Sequence, residues 1–290
     1  MTLLPEIPEG EAEGETLDCY QALKAALPVR TINLIYRHLA TIPDALPWAV
    51  SIVKELKAQA FLDPAAQSLA ATPVPLLPPL APQYWDQHGV DDKDRHRALE
   101  ILHVYNWSNP RNLVVLQVMQ HHLENPNAQQ WTNDASSPAE HKTSVDLPAN
   151  AEAELDPPAP PDALAPDILQ MVQQTCRQLN VNPELLPTLH RHLGIMPNLY
   201  RALSATTENI VADGQVRLHA QRWEATAAEL AALNRLTPTV PSAGSQLRIR
   251  DAISLFKHGI PVHCVLGKLW EERLGTGISE RHPAAPFPAG

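Results

Sequence analysis

The chain is short of cysteine, aromatics and basic clusters, and each shortage removes a class of protein. Cys19, Cys176 and Cys264 are the only cysteines in 290 residues, an odd number at long spacings with no C-x-x-C pair. That pattern argues against a disulfide framework or a cysteine-built zinc site and suits free thiols in a reducing compartment. The 13 histidines do not supply a metal site either. Their closest groupings, His121-His122 and His190/His192, lack the i, i+4 spacing and third ligand that zinc requires, so neither metal nor cofactor is expected. With a net charge of −10, a pI near 5.7 and no Lys/Arg block, the sequence offers no electrostatic footprint for a phosphate backbone, and nucleic acid is not an expected partner. No apolar run approaches the ~18 residues of a membrane span. The opening Met1-Thr2-Leu3-Leu4-Pro5-Glu6 lacks the basic-then-apolar layout of a signal peptide. A cytoplasmic protein without a membrane partner is the expectation.

What the chain does have is proline and repetition. Its 29 prolines punctuate segments whose apolar residues recur at helical spacing, and its 44 % apolar content is ample for a buried core. Ile32 to Leu39 reads as a helix, with a new one beginning near Asp44 and running to Leu56, because Pro43 cannot continue the ladder. Ala98 to Tyr105 forms an apolar stripe behind Asp91-Asp92-Lys93-Asp94, whose carboxylates suit a helix N-terminus. Leu113 to Leu123 is another stripe, opened by Pro110, and Asn109 just before it has the chemistry of an N-cap. Ala165 to Leu179, Pro183 to Leu193, Val216 to Leu236 and Ser245 to Leu274 show the same period. About ten or more helices, all below ~25 residues, and no strands are expected. Trp48, Trp85, Trp107, Trp223 and Trp270 read as packing residues of those helices.

The second half echoes the first. Arg37-His38-Leu39-Ala40-Thr41-Ile42-Pro43 returns as Arg191-His192-Leu193-Gly194-Ile195-Met196-Pro197, an offset of 154 from residue 37 to residue 191. Tyr105 through Pro110 to Leu116 lies over Phe256 through Pro261 to Gly267, an offset of 151 from residue 110 to residue 261. Two echoes in the same order argue for tandem copies of one helical unit. The fold class is therefore all-α, two tandem pseudo-repeats related by a pseudo-twofold axis, with a cleft between them. The first repeat spans 1–124 and the second 163–290. Residues 125–162 are polar, acidic and Pro-rich, and read as a linker. A second Pro-rich stretch, Thr72 to Pro82, is apolar enough to pack as an extended crossing, although its polyproline character also suits recruitment of a binding module. The Arg37-His38 and Arg191-His192 pairs suit either tying helix ends together or holding an anionic carboxylate.

Tyr105-Asn106-Trp107-Ser108-Asn109-Pro110-Arg111 resembles the aromatic-Asn-aromatic-small-Asn-Pro-basic motif of the group I 2-haloacid dehalogenases. Leu39 to Pro43, Gly89 to Asp92, Val240 to Gly244 and Pro286-Phe287-Pro288 are also similar to that family's segments, in the same order. The resemblance implies an all-helical hydrolase of two pseudo-repeats. In that family a water held by an aspartate and the motif's second asparagine displaces halide from C2 of a short 2-haloalkanoic acid, without metal or covalent ester. Asn109 matches that asparagine.

The aspartate's position in the second repeat is Leu189, and Pro187 to Arg191 contain no carboxylate. A leucine cannot remove a proton, and losing a positioned base costs ~10²–10⁴-fold in rate. His190, one residue on, is the nearest group with a suitable pKa. Two readings stand: a hydrolase acting on a short carboxylic acid, or a helical pseudo-dimer that binds a small molecule or serves as a scaffold. In either, the cleft is expected to hold Asn109 and Thr188 as polar groups and Leu189, Ile35 and Ile260 as apolar ones, since pseudo-symmetry pairs Asn109 with Ile260 and Leu189 with Ile35. A small carboxylic acid is the expected ligand, and a homodimer is compatible with the sequence.

Overall fold

The computed structural model describes residues 4–27, 29, 31–125, 155–234, 236 and 240–275. Most of the expected linker and the 286–288 segment lie outside them. Among the described residues there are eleven α-helices and no strand. The first half holds α1 (Gly14–Ala26), α2 (Leu34–Leu39), α3 (Ala45–Ala58), α4 (Leu62–Ala70), α5 (Tyr84–Gln87) and α6 (Asp92–Glu124). The second holds α7 (Pro166–Gln178), α8 (Thr188–Leu193), α9 (Pro197–Ala212), α10 (Gln215–Ala232) and α11 (Ala243–Gly275).

Three helices of the first half each match one of the second in length. α1 and α7 have 13 residues each, and α2 and α8 have 6 each. α6 and α11 have 33 each, and in both an internal proline follows the first residue by 18 positions. Among the described residues the short α5 and the Pro-rich crossing before it have no counterpart in the second half. In that crossing Val74, Leu77 and Leu80 pack on the core at a spacing of three, while Leu76 stays 92 % exposed.

α6 and α11 overturn the expected length limit, and Pro110 does not open a helix. Both helices run straight through their prolines, so Asn109 sits in the interior of α6 and caps nothing. An interior proline costs about 3 kcal/mol, but each helix is buried on all sides around it: 109 to 119 in α6 and 259 to 267 in α11 are continuously buried. That burial offsets the lost hydrogen bond. The two helices pack on each other more extensively than any other pair. Their approach is close, since a Cβ at Gly267 would overlap the Asn106 amide oxygen. One hydrophobic core runs through both halves.

Helix starts follow local chemistry. Asp91 caps α6 by accepting from Asp94 N at 2.7 Å, and Asn33 caps α2 by accepting from Ile35 N at 3.2 Å. The stretch from Pro183 to Leu193 is not one helix: a single turn at Pro183–Leu185 ends at Leu186, which has φ +39°, and Pro187 precedes α8. Pro187 cannot donate to the preceding turn and disfavours helical geometry at Leu186.

The repeated Arg-His pairs hold the segments that precede each half. Arg37 Nε meets Glu6 Oε2 at 2.5 Å, and His38 Nδ1 donates to the Pro5 carbonyl at 2.7 Å. Arg191 donates to the Ala159 and Pro158 carbonyls, and His192 Nε2 to the Asp156 carbonyl at 2.8 Å. Both arginines are spent on the chain itself, tying straps rather than helix ends. The described end of the expected linker, 155–162, is thus strapped along the second half, with Leu155 buried.

Candidate functional site

A cavity of about 50 Å³ opens where α2 and α8 meet α6 and α11. The repeat offsets pair much of its lining: Asn33 with Pro187, Leu34 with Thr188, Tyr105 with Phe256, and Asn109 with Ile260. Val181, Leu185, Leu189, Gly259 and His263 complete it. The space suits a ligand of a few heavy atoms.

Asn109, Thr188, Leu189 and Ile260 are brought together here. Ile35 is not: it is buried in the core but does not line the cavity. The cap at Asn33 starts α2 so that Asn33 and Leu34 face the space, and Ile35 is turned into the packed interior. Asn33 then serves twice, because its Oδ1 holds Ile35 N while its Nδ2 donates to Asn109 Oδ1 at 3.4 Å. That contact orients the Asn109 amide. On the facing side α8 has no side-chain cap. Its first residues, Thr188 and Leu189, line the cavity, and the first N–H groups of a helix lack intrahelical partners.

Tyr105 and His263 were not among the expected site residues, yet both line the cavity. The Tyr105 hydroxyl lies 2.7 Å from His192 Nδ1. His192 Nε2 faces a carbonyl, which only accepts, so that nitrogen carries the proton and Nδ1 accepts from Tyr105. The Thr188 hydroxyl, on the same cavity wall, favours the ionised form of that phenol and only partly opposes its burial. Burial pushes Tyr105 up to about 12 and His192 down to about 4.

The same logic fixes the second imidazole pair. His263 Nδ1 donates to the Gly259 carbonyl at 2.6 Å, leaving Nε2 to accept from His190 Nε2 at 3.2 Å, and His190 Nδ1 then accepts from the Tyr200 hydroxyl at 2.7 Å. All four ring nitrogens are engaged. His190 is 0 % exposed and stands behind the cavity wall, so it does not replace the missing carboxylate. Burial, then the neighbouring His263, holds His190 well below its ordinary range, and burial takes His263 down to about 4. Both are neutral at pH 7. The cavity wall contains no Asp or Glu. Among the described residues no group of three or more His, Cys, Asp or Glu is placed to hold a metal ion.

No protein-family model and no curated protein matches the chain. Solved structures do. A D-2-haloacid dehalogenase mutant in complex with D-2-CPA aligns over 94 % of this chain and 96 % of its own, with a TM-score of 0.70 at 14 % identity. A D-2-haloacid dehalogenase in complex with L-LA gives the same values. At that identity the likeness establishes the fold: this chain has the all-helical architecture of those dehalogenases. Its chemistry has to be argued from the cavity.

Proposed function

We propose that this chain is a divergent relative of the group I 2-haloacid dehalogenases that binds a short 2-substituted carboxylic acid in the cavity and lacks the base to hydrolyse it. The observation that carries this reading is the lining itself, which pairs Asn109 with an apolar wall and contains no carboxylate. The ligand carboxylate is held at the uncapped start of α8, by the N–H groups of Thr188 and Leu189 with the Thr188 hydroxyl beside them. The alkyl part rests on Leu189, Phe256 and Ile260. The Asn109 amide addresses the C2 substituent.

A hydrolytic reading has one observation in its favour. Tyr105 lines the cavity and donates to His192, so its oxygen can take a proton from an attacking water while its own proton passes to His192 Nδ1. The electrostatics oppose it: a group with a pKa of about 4 holds a proton in only about one molecule in a thousand at pH 7. The binding reading is therefore preferred.

The test is halide release from 2-chloropropionate alongside calorimetric binding of the same acid. The expected result is binding without release in the unmodified protein, and release after Leu189→Asp, which restores a carboxylate opposite Asn109. The gain should fall within about 10²–10⁴-fold of background, the range a positioned base supplies. Leu189 is only 1 % exposed, so burial will raise the new carboxyl's pKa and the gain should grow toward alkaline pH. Release by the unmodified protein that is abolished by Tyr105→Phe would overturn the binding reading in favour of the relay.

A further inference from the structure

A phenol and a side-chain amide stand one turn apart on the cavity side of α6. Tyr105 and Asn109 both line the space, and residues four apart on a helix are neighbours on one face. A ligand group lying against this stretch of α6 meets both, and the surrounding hydrogen bonds fix what each can offer.

Asn109 offers donors. Asn33 spends its Oδ1 on Ile35 N, so the atom it turns toward Asn109 is Nδ2, and the Asn109 atom that receives it is Oδ1. The other arm of that amide, Asn109 Nδ2, has no hydrogen-bond partner among the described residues and remains accessible to water. Tyr105 offers an acceptor. The Asp156 carbonyl only accepts, so His192 Nε2 carries the hydrogen of its ring, Nδ1 accepts, and the Tyr105 hydroxyl gives up its one hydrogen there at 2.7 Å. His192, with a pKa of about 4, is neutral at pH 7 and holds this arrangement. The phenol oxygen is left with lone pairs for the cavity and no hydrogen.

We propose that Tyr105, oriented by His192, makes the cavity select a short acid whose C2 substituent both accepts and donates a hydrogen bond, a 2-hydroxy acid, over the 2-halo acid that the family resemblance implies. The hydroxyl oxygen accepts from Asn109 Nδ2, and its hydrogen goes to the Tyr105 oxygen. A halogen at C2 donates nothing and leaves that buried oxygen short of a partner. This selection rests on the reading of the cavity as a site for a short acid, and adds to it the residue that decides between C2 substituents.

The test is calorimetric titration of the full chain with 2-hydroxypropionate, 2-fluoropropionate, 2-chloropropionate and propionate. Fluorine is close to a hydroxyl in size but cannot donate, so the first two acids isolate the donated hydrogen bond. The hydroxy acid should bind about tenfold or more tighter than the other three, the effect of leaving a buried acceptor unsatisfied. Tyr105→Phe should remove that preference. His192→Gln can keep a contact to Asp156 but takes away the acceptor at Nδ1, which frees the phenol to donate to a halogen, so the preference should narrow. His192→Asn restores an acceptor near the place of Nδ1 and should keep it. A loss of stability alone would weaken all four acids alike, so the ratio of affinities is the readout. Failure of every acid to bind the folded, unmodified protein overturns the reading of the cavity and this selection with it. Equal binding of the hydroxy and fluoro acids, or a preference that survives Tyr105→Phe, overturns the selection alone.

Discussion

α2 and α8 are the same element twice: six residues each, each ending in Arg-His-Leu, each at the rim of the cavity. They differ at their first step. α2 begins behind Asn33, which satisfies its own helix and reaches across to Asn109, whereas α8 begins behind Pro187, whose side chain offers no acceptor and whose carbonyl alone serves the helix. The comparison extends inward along the repeat offsets. Where the first half has Tyr36, half-buried His38 and Asn112, the second has His190, His192 and His263, all buried and neutral. One frame has been kept in duplicate while its polar groups diverged, so that the first half contributes amides and a phenol to the cavity and the second contributes free N–H groups, a hydroxyl and an imidazole.

The largest expected effect is on acid stability, and it should fall on the second half. A histidine held below its unfolded pKa of ~6.5 binds fewer protons folded than unfolded, so stability is full above that value and declines as pH falls from there. His192 and His263, at about 4 when folded, should each cost about 3 kcal/mol across the window from ~6.5 to ~4. His190, also lowered, adds to the loss. Urea unfolding measured through this window should show a slope approaching three protons, and His263→Asn, the residue that the first half carries at Asn112, should reduce it by about one. A flat profile between pH 6.5 and 4 would break the comparison.

Giving α8 the cap that α2 has should sharpen it. Pro187→Asn places an acceptor where the free N–H groups are. The cap adds about 1 kcal/mol while the lost proline removes roughly 0.4–1 kcal/mol through the unfolded chain. Stability should barely change, but the new side chain competes with the ligand for the same donors, and affinity for 2-chloropropionate should fall by roughly tenfold, the loss of about one hydrogen bond to a charged group. Unchanged affinity in calorimetry would remove the start of α8 from the binding scheme.

The smallest effect belongs to the other helix. Asn33→Ala uncaps α2 and should cost about 1 kcal/mol in thermal unfolding. It also releases the Asn109 amide, so binding should weaken modestly at the same time. A stability loss with no change in binding would show that the Asn33–Asn109 contact does nothing beyond holding the helix.

The elements were legible because helical period and proline placement are local properties, and the two sequence echoes fall on helices of equal length, Arg-His-Leu on α2 and α8 and the internal prolines on α6 and α11. Asn109 and Leu189 were placed by the resemblance, Thr188 by standing beside Leu189 and Ile260 by the repeat offset, and all four line the cavity. The 33-residue helices could not be read, since the decision to continue through Pro110 and Pro261 is made by burial on every side, which no local window contains. Ile35 was misplaced by a difference of register: the start of α2 is fixed by Asn33, and that turns Asn33 and Leu34 toward the cavity in its stead. His263 gave no signal of its own. Its importance comes from His190, 73 residues away in sequence, and from a carbonyl one turn behind it.

Each internal proline removes the amide that would have bonded to the carbonyl four residues earlier, at Asn106 in one helix and Lys257 in the other. Both gaps fall in the two longest helices of the described residues, which pack on each other. Pro110 faces the α4 and α10 side while its neighbour Asn109 borders the cavity, and just beyond Pro261 Cys264 and His263 divide in the same way. At that step each helix is therefore held by its neighbours in place of its own ladder. The floor of the cavity is thus positioned by residues distant from it in sequence, so a substitution that loosens the packing around either proline should be felt at Asn109 or Ile260 without touching the lining itself.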